Sequence, residues 1–209
     1  MIPFRFQVIF MKELMEMDLE ELWKLFPIVL KGHNPEYMAW YEEECASLFN
    51  SLSDFSIFRI NHIGSTSVKG LIAKPTVDIL LELFEGYDVD LAIQTLQGSG
   101  WIAMARDYQM HTIDLNKGYT PNGFAERVYH LHVRLAGDHG ELYFRDYLRE
   151  HPNVSREYGQ LKILLKEEFE HDRDAYTDAK SEFISKYTTL ARVEFKERYD
   201  PKFCYRGSD

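Results

Sequence analysis

The residues in which chemistry can be read lie in the run His62-Ile63-Gly64-Ser65-Thr66-Ser67-Val68-Lys69-Gly70-Leu71-Ile72-Ala73-Lys74-Pro75-Thr76-Val77-Asp78. A β-branched strand runs into Gly64-Ser65, where small side chains let backbone N–H groups and a hydroxyl approach an anion. A short helical turn behind them would aim its positive end the same way. Phosphate is the guest that such a turn takes. Lys69 and Lys74 add positive charge at that edge, and Asp78, an acid in an otherwise apolar strand, would face the bound phosphates and hold a divalent cation. Further on, His130, His132 and Arg134 alternate, so in a regular strand all three point to one face. Imidazoles there could ligate a metal, act as a general base or donate to phosphate, and half-buried histidines satisfied by backbone carbonyls would look the same.

Other site types fail on spacing. A P-loop needs its second glycine five residues after the first, followed by lysine, and Lys69-Gly70 stand in the wrong order. Neither Ser65 nor Ser67 has the flanking glycines of a hydrolase elbow, and no His-Glu-x-x-His occurs. The two cysteines, Cys45 and Cys204, are far apart with no Cys-x-x-Cys spacing, which leaves them as free thiols rather than a disulfide, redox or zinc motif.

Further cations recur at helical spacing. Arg145 and Arg149, and Lys162 and Lys166, each sit at i and i+4, so each pair offers two charges on one face. With Asp146, Glu167 and Glu168 beside them, a solvated stripe competes with a phosphate clamp. Arg173, Tyr176 and Lys180 fall about one turn apart, either closing over a ligand or bracing a helix on a sheet. Ser65 could equally be a turn residue or helix cap, and Lys74, extended by Pro75 behind it, an ordinary loop lysine.

The elements that must position these groups alternate in period. Asn34-Pro35-Glu36 reads as a helix start, with Asn34 as N-cap, leading into 37–52. Strands are expected over 55–63, 76–83, 101–105, 111–115 and 128–135, with a helix over 88–97 and the first two strands after it joined as a meander. Beyond Ala136 the period is helical, over 141–150, 155–169 and 175 to about 195; the stripe of Tyr158, Leu161 and Leu165 is core packing, and 195–209 reads as a loosely held tail. The fold class expected is α/β (α+β), a mixed sheet flanked by helices with a helical C-terminal third. The whole of 1–209 is read as a single domain, with a core over about 20–150 and the helical part over about 151–198.

Composition sets the outer bounds. The chain has 209 residues, 45% hydrophobic, enough for a full core. Its apolar runs are too short to span a bilayer, and the start lacks the pattern of a signal peptide, so the protein is expected in the cytoplasm with no membrane partner. With 24 Lys plus Arg against 34 Asp plus Glu, the net charge of −10 repels a nucleic-acid backbone, which argues against general nucleic-acid binding. A small phosphorylated ligand stays compatible, since a local cationic pocket acts within a Debye length of about 8 Å.

Gly64-Ser65, twelve residues and then Asp78 in a hydrophobic strand resemble the nucleotidyltransferase (DNA polymerase beta-like) superfamily, in which a Gly-Ser turn precedes an Asp-x-Asp or Asp-x-Glu pair. The closer resemblance is to the GrpB family, a branch of that superfamily. It runs through His62 to Val68, Ala73-Lys74-Pro75, Asp78-Ile79, His130 to Val133, Phe144 to Leu148, Ala175 through Lys180, and Phe183-Ile184, within Leu22 to Leu190. The resemblance implies a transferase acting on a nucleoside triphosphate and a small-molecule or protein acceptor. Taken with the turn and the cations read above, the residues expected to contact the nucleotide or its phosphates are Gly64, Ser65, Thr66, Lys74, Arg145, Lys162, Tyr176 and Lys180. Asp78, His130 and His132 are the catalytic and metal-binding groups, for Mg²⁺ or Mn²⁺, or for Zn²⁺ or Ni²⁺ if the histidines ligate.

One departure matters: the second acid should stand at position 80, which is Leu80. Residues at i and i+2 on a strand are about 6.7 Å apart, close enough to share a metal pair, whereas Glu82 lies about 13 Å along from Asp78. Two alternatives to a metal-dependent nucleotidyltransferase follow. One is a nucleotide- or phosphometabolite-binding module that has lost the chemistry. The other is a histidine-based metal phosphohydrolase using His62, His130 and His132 with Asp78.

Overall fold

The computed structural model describes residue 14 and residues 16–204, the final two without their side chains. The reading of the first residues, the Cys204 thiol and the tail beyond 204 lie outside the described residues; Cys45 is a buried free thiol. In chain order the elements begin with α1 (Leu19–Leu25), α2 (Tyr37–Ser51), β1 (Ile57–Ile63), one 3-10 turn (Ser65–Ser67), β2 (Thr76–Leu83), α3 (Val89–Gly98) and β3 (Ile102–Asp107). They continue with β4 (Thr112–Thr120), β5 (Gly123–Leu135), α4 (Gly140–Glu150), α5 (Pro152–Phe169), α6 (Arg173–Asp178), α7 (Ser181–Phe195) and α8 (Pro201–Cys204). Among the described residues no helix is long and apolar enough to cross a membrane.

The strands form one mixed sheet in the order β1-β2-β5-β4-β3, in which β2 and β5 are parallel and the other pairs antiparallel. Side-chain alternation gives the sheet two unlike faces. Val77, Ile79 and Leu81 of β2, Leu131 and Val133 of β5, and Ile113 and Leu115 of β4 form the apolar face, fully buried under α2 and α3. Burying each such aliphatic side chain contributes about 1.5–3 kcal/mol, so this face holds the fold. The opposite face carries Asp78, Glu82, Asp114, Asn116, His130, His132 and Arg134, placed by register: Asp78 opposite His130, Leu80 opposite His132, Asp114 opposite His132. The C-terminal helices pack over that polar face.

Four expectations are corrected. Asn34 does not cap a helix; its Oδ1 accepts from the Glu36 backbone N–H at 3.0 Å, and α2 starts after that turn. The helix expected from 175 to about 195 is two helices, because its halves pack on different neighbours: Tyr176 with Ile28 and Leu165, Tyr187 and Ala191 with Tyr143 and Tyr147 of α4. Residues 196–200 are held rather than loose, since the Tyr199 carbonyl accepts from Arg59 and the Tyr143 hydroxyl donates to the Lys196 carbonyl at 2.8 Å. β5 also starts five residues earlier than expected, extending the β4 hairpin past a bulge at Gly118. That residue has φ +90°, and a Cβ there would stand 2.2 Å from the Arg127 carbonyl oxygen.

Candidate functional site

The parallel β2–β5 pair brings Asp78 and His130 face to face, with Asp78 Oδ1 3.1 Å from His130 Nδ1. Burial pushes the Asp78 carboxyl up, but the His130 hydrogen bond and nearby positive charge outweigh it and hold it below the usual carboxylate range. An ionised carboxylate only accepts, so His130 donates from Nδ1. Burial keeps this imidazole neutral, its pKa lowered despite Asp78. Its Nε2 then accepts from the Tyr119 hydroxyl at 2.8 Å, and the Tyr119 oxygen accepts from Arg173 Nη2 at 3.0 Å. Every hydrogen-bonding atom of His130 is thus engaged in a chain from Arg173 to Asp78.

His132, two residues along, meets a different acid. Its Nδ1 lies 2.8 Å from Asp114 Oδ1 on β4, which also accepts from Arg134 Nη2 at 2.6 Å. Burial pushes Asp114 up, yet these two hydrogen bonds bring it down to about 2. By the same logic His132 donates from Nδ1, and among the described residues its Nε2 has no hydrogen-bond partner.

Gly64 begins the turn that faces this row. It has φ +66° and ψ −174°, a conformation open essentially to glycine alone, and a Cβ there would stand 2.2 Å from Asp78 Oδ2. The following 3-10 turn is three residues long, too short for an appreciable dipole, so attraction for an anion falls to side chains. Those are supplied. Lys162 of α5 is 3% exposed and donates from Nζ to Ser65 Oγ at 2.9 Å and to the Ile72 carbonyl. Lys74 and Lys180 sit over the Tyr176 ring at 5.6 and 4.3 Å, and the Tyr176 hydroxyl is buried with no hydrogen-bond partner among the described residues. Together with Arg173 they line a compartment of about 400 Å³ that also reaches Gly64, Ser65, Asp78, His130 and His132. A second compartment of about 430 Å³, lined by Ile63, Phe144, Ile184 and Thr188 among others, meets the first at Gly64, Ser65, Asp78, His132 and Tyr158.

Burial, then the neighbouring charges, lowers the lysines: Lys74 and Lys162 to about 7 and Lys180 to about 8, with Lys180 pressing on the first two and Arg173 on Lys74 and Lys180. Among the described residues none of Lys74, Lys162, Lys180 or Arg173 forms an ion pair with a carboxylate. Elsewhere among the described residues the buried Arg145 is paired with Asp146, and the half-buried Arg59 and Lys117 with Glu82 and Glu44.

The structure thus gathers Gly64, Ser65, Lys74, Asp78, His130, His132, Lys162, Tyr176 and Lys180 around one cleft. Tyr176 enters as a buried platform, 0% exposed, beneath two lysines. Two expected residues do not reach it. The Thr66 hydroxyl is buried, donating to the Thr76 carbonyl at 2.9 Å and bonded to His62 Nε2 at 3.0 Å, so it fastens the turn from behind. Arg145 is buried against Asp146, Asn61, the His62 carbonyl and Tyr199, an internal brace. Lys69 is exposed and Lys166 pairs with Glu170 at the surface. Asp114, Tyr119 and Arg173 join the site; the signal for Asp114 was an acid between Ile113 and Leu115, and for Arg173 its turn-spacing with Tyr176 and Lys180.

The histidine-based hydrolase fails on geometry. His62 pairs with Ile79 and points to the opposite face, stacked on Tyr41 at 5.0 Å and driven by burial to a pKa of about 4. Among the described residues no three His, Cys, Asp or Glu side chains converge as a metal cage. The donor chemistry agrees: Asp78 stands against the Gly-Ser turn, Leu80 at the second position is fully buried, and Glu82 is locked to Arg59 and the Gly137 N–H, while Asp174 lines the first compartment and Glu141 the second. A resident two-metal centre does not fit these residues.

Compared with known proteins, residues 27–189 match the family described as GrpB protein. A UPF0157 protein of Pseudomonas aeruginosa is 38% identical over 61% of this chain and 52% of its own length, so the match spans about half of that relative. The glutamate-rich protein GrpB of Alkalihalophilus pseudofirmus is 30% identical over 75% of this chain and 91% of its own. Among solved structures, the conserved protein GrpB from Enterococcus faecalis superposes with a TM-score of 0.70 at 29% identity, covering 80% of this chain and 99% of that one.

Proposed function

We propose, for a chain that belongs to the GrpB family, that the cleft between the polar sheet face and the C-terminal helices binds the phosphate groups of a phosphorylated small molecule. The observation that carries this reading is the convergence of Lys74, Lys162, Lys180 and Arg173, without carboxylate ion pairs among the described residues, in a protein of net charge −10. Removing a cation from water without a counter-charge is costly, and a polyanion in the cleft supplies that counter-charge. A nucleoside triphosphate is the first candidate, supported by the resemblance of Gly64-Ser65 and Asp78 to the nucleotidyltransferase turn. Any divalent ion would enter with the phosphates and meet Asp78 as a single carboxylate, as Mg²⁺ commonly does. Nucleotidyl transfer through two protein-held metals is the weaker reading, because Leu80 occupies the second position.

Thermal shift with inorganic tripolyphosphate and with nucleoside triphosphates tests this. A ligand at about a hundred times its Kd adds about 2.7 kcal/mol, which for a chain of this size raises Tm by several degrees. No shift with any of these polyphosphates at millimolar concentration would count against the reading.

A further inference from the structure

We propose that His132 is the nucleophile of this cleft, its Nε2 taking the terminal phosphoryl group of a bound phosphoanhydride to form an N-phosphohistidine. This rests on the phosphate-binding reading above and adds a reaction to it.

The two imidazoles of the polar face differ in what they have left to offer. His130 gives Nδ1 to Asp78 and Nε2 to Tyr119, so it holds Asp78 in place and has no free lone pair. His132 gives only Nδ1, to an acid that Arg134 fixes from its other side. With Asp114 ionised, the proton sits on Nδ1 and the Nε2 lone pair is left for the cleft, the arrangement that activates an imidazole. The side chain is 30% exposed and stands where the two compartments meet, beside Gly64, Ser65 and Asp78. Apart from His130, which lines the first compartment, the other described histidines line neither.

The step balances without a further reactant. The Nε2 lone pair forms the N–P bond, the bridging P–O bond breaks, and its electron pair leaves on the departing phosphate or diphosphate, which needs no proton. The phosphoimidazolium keeps its Nδ1 proton, and the Asp114 carboxylate offsets its charge. Lys74, Lys162, Lys180 and Arg173 stabilise the leaving phosphates, while the second compartment admits an acceptor. With water as acceptor, its oxygen takes the phosphoryl group, its proton goes to the bulk, and the N–P pair returns to Nε2.

The test uses the full chain and potassium phosphoramidate, a small phosphoryl donor that does not presuppose which anhydride is bound. Expected is one phosphohistidine, stable in alkali and lost in acid, mapped by tandem mass spectrometry to His132. ³¹P NMR should place the linkage at Nε2, and it should form at least tenfold faster than at any other histidine and be slowed by tripolyphosphate. His132→Gln abolishes it. Asp114→Asn slows it at least tenfold and shifts the His132 tautomer signal in ¹⁵N NMR without weakening tripolyphosphate binding, a signature that a merely structural Asp114 would not give. Phosphate spread evenly over several histidines, or tripolyphosphate binding with His132 unmodified, overturns this proposal alone. Absence of tripolyphosphate binding removes the cleft reading and this one with it.

Discussion

Lys162 Nζ sits 2.9 Å from Ser65 Oγ, joining a helix of the C-terminal third to a turn 97 residues earlier in the chain. Both of its acceptors, Ser65 Oγ and the Ile72 carbonyl, are neutral. A buried ammonium whose hydrogen bonds go only to neutral oxygens has no carboxylate in ion-pair contact, which makes it the most informative group to alter.

Lys162→Met keeps most of the buried stem and deletes the charge. Chemical denaturation should find it no less stable than the parent to within about 1 kcal/mol, since a desolvated charge has gone along with its hydrogen bonds. Titration calorimetry should find tripolyphosphate bound at least tenfold more weakly. A variant that binds normally would remove Lys162 from the site.

The lysines also fix a pH dependence. In the empty protein Lys74 and Lys162 titrate at about 7 and Lys180 at about 8, and an anion beside them raises all three, so binding takes up protons. Affinity for tripolyphosphate should be highest below pH 7 and fall from pH 7 to 9, with proton uptake visible when calorimetry is repeated in buffers of different ionisation enthalpy. The empty protein should do the reverse. An unfolded lysine keeps its proton up to about pH 10.4, so between about pH 7 and 10 the unfolded chain holds more protons and these groups make stability rise with pH.

Gly64→Ala should be among the most damaging single changes at the turn. It imposes a side chain on a backbone with φ +66° and drives a methyl group to 2.2 Å from Asp78 Oδ2. Strain of this kind costs roughly 1–3 kcal/mol before the displacement of Asp78 is counted. Urea melts would measure that loss, and a variant as stable as the parent would contradict the backbone description.

Restoring the missing acid should not restore a metal pair. Leu80 is 0% exposed and packs with Ile63 and Leu142, so Leu80→Asp buries a carboxylate in an apolar cluster. A loss of about 3 kcal/mol or more is expected, with no gain in Mg²⁺ or Mn²⁺ affinity by calorimetry.

Arg145→Ala separates a brace from a ligand contact. It strips Asp146, Asn61 and Tyr199 of their shared partner, and denaturation should register about 2–4 kcal/mol of lost stability. Tripolyphosphate affinity of the folded fraction should stay within twofold.

Much of this arrangement was legible from local patterns. Thr76–Leu83 announced itself as an apolar run broken by Asp78, and the alternation of His130, His132 and Arg134 gave their common face. What was not legible came from register. Nothing local says that β2 pairs in parallel with β5, which sets Asp78 opposite His130, or that the antiparallel β4–β5 register sets Asp114 opposite His132. Thr66 and Arg145 misled for a related reason: their types suit phosphate, and only tertiary packing shows their donors already engaged at Thr76 and Asp146. For Lys162 the acids near it on its helix left a solvated stripe competing with a phosphate clamp, and only the packing shows the side chain turned inward to Ser65. α1 went unread although Asp18 and Glu21 carry the spacing of a capping box, which they form.

Tyr199 bears on how the protein is made. Its carbonyl accepts from Arg59 of β1, and its hydroxyl bridges Arg145 and Asp146 of α4. A chain emerging from the ribosome can build β1 through α4 long before residue 199 leaves the exit tunnel, and until then those three charged groups lack this partner. Synthesis should therefore pass through a nascent species whose sheet is formed but whose polar side is not yet clasped, and the docking of Tyr199 then completes the contacts of Arg59, Arg145 and Asp146.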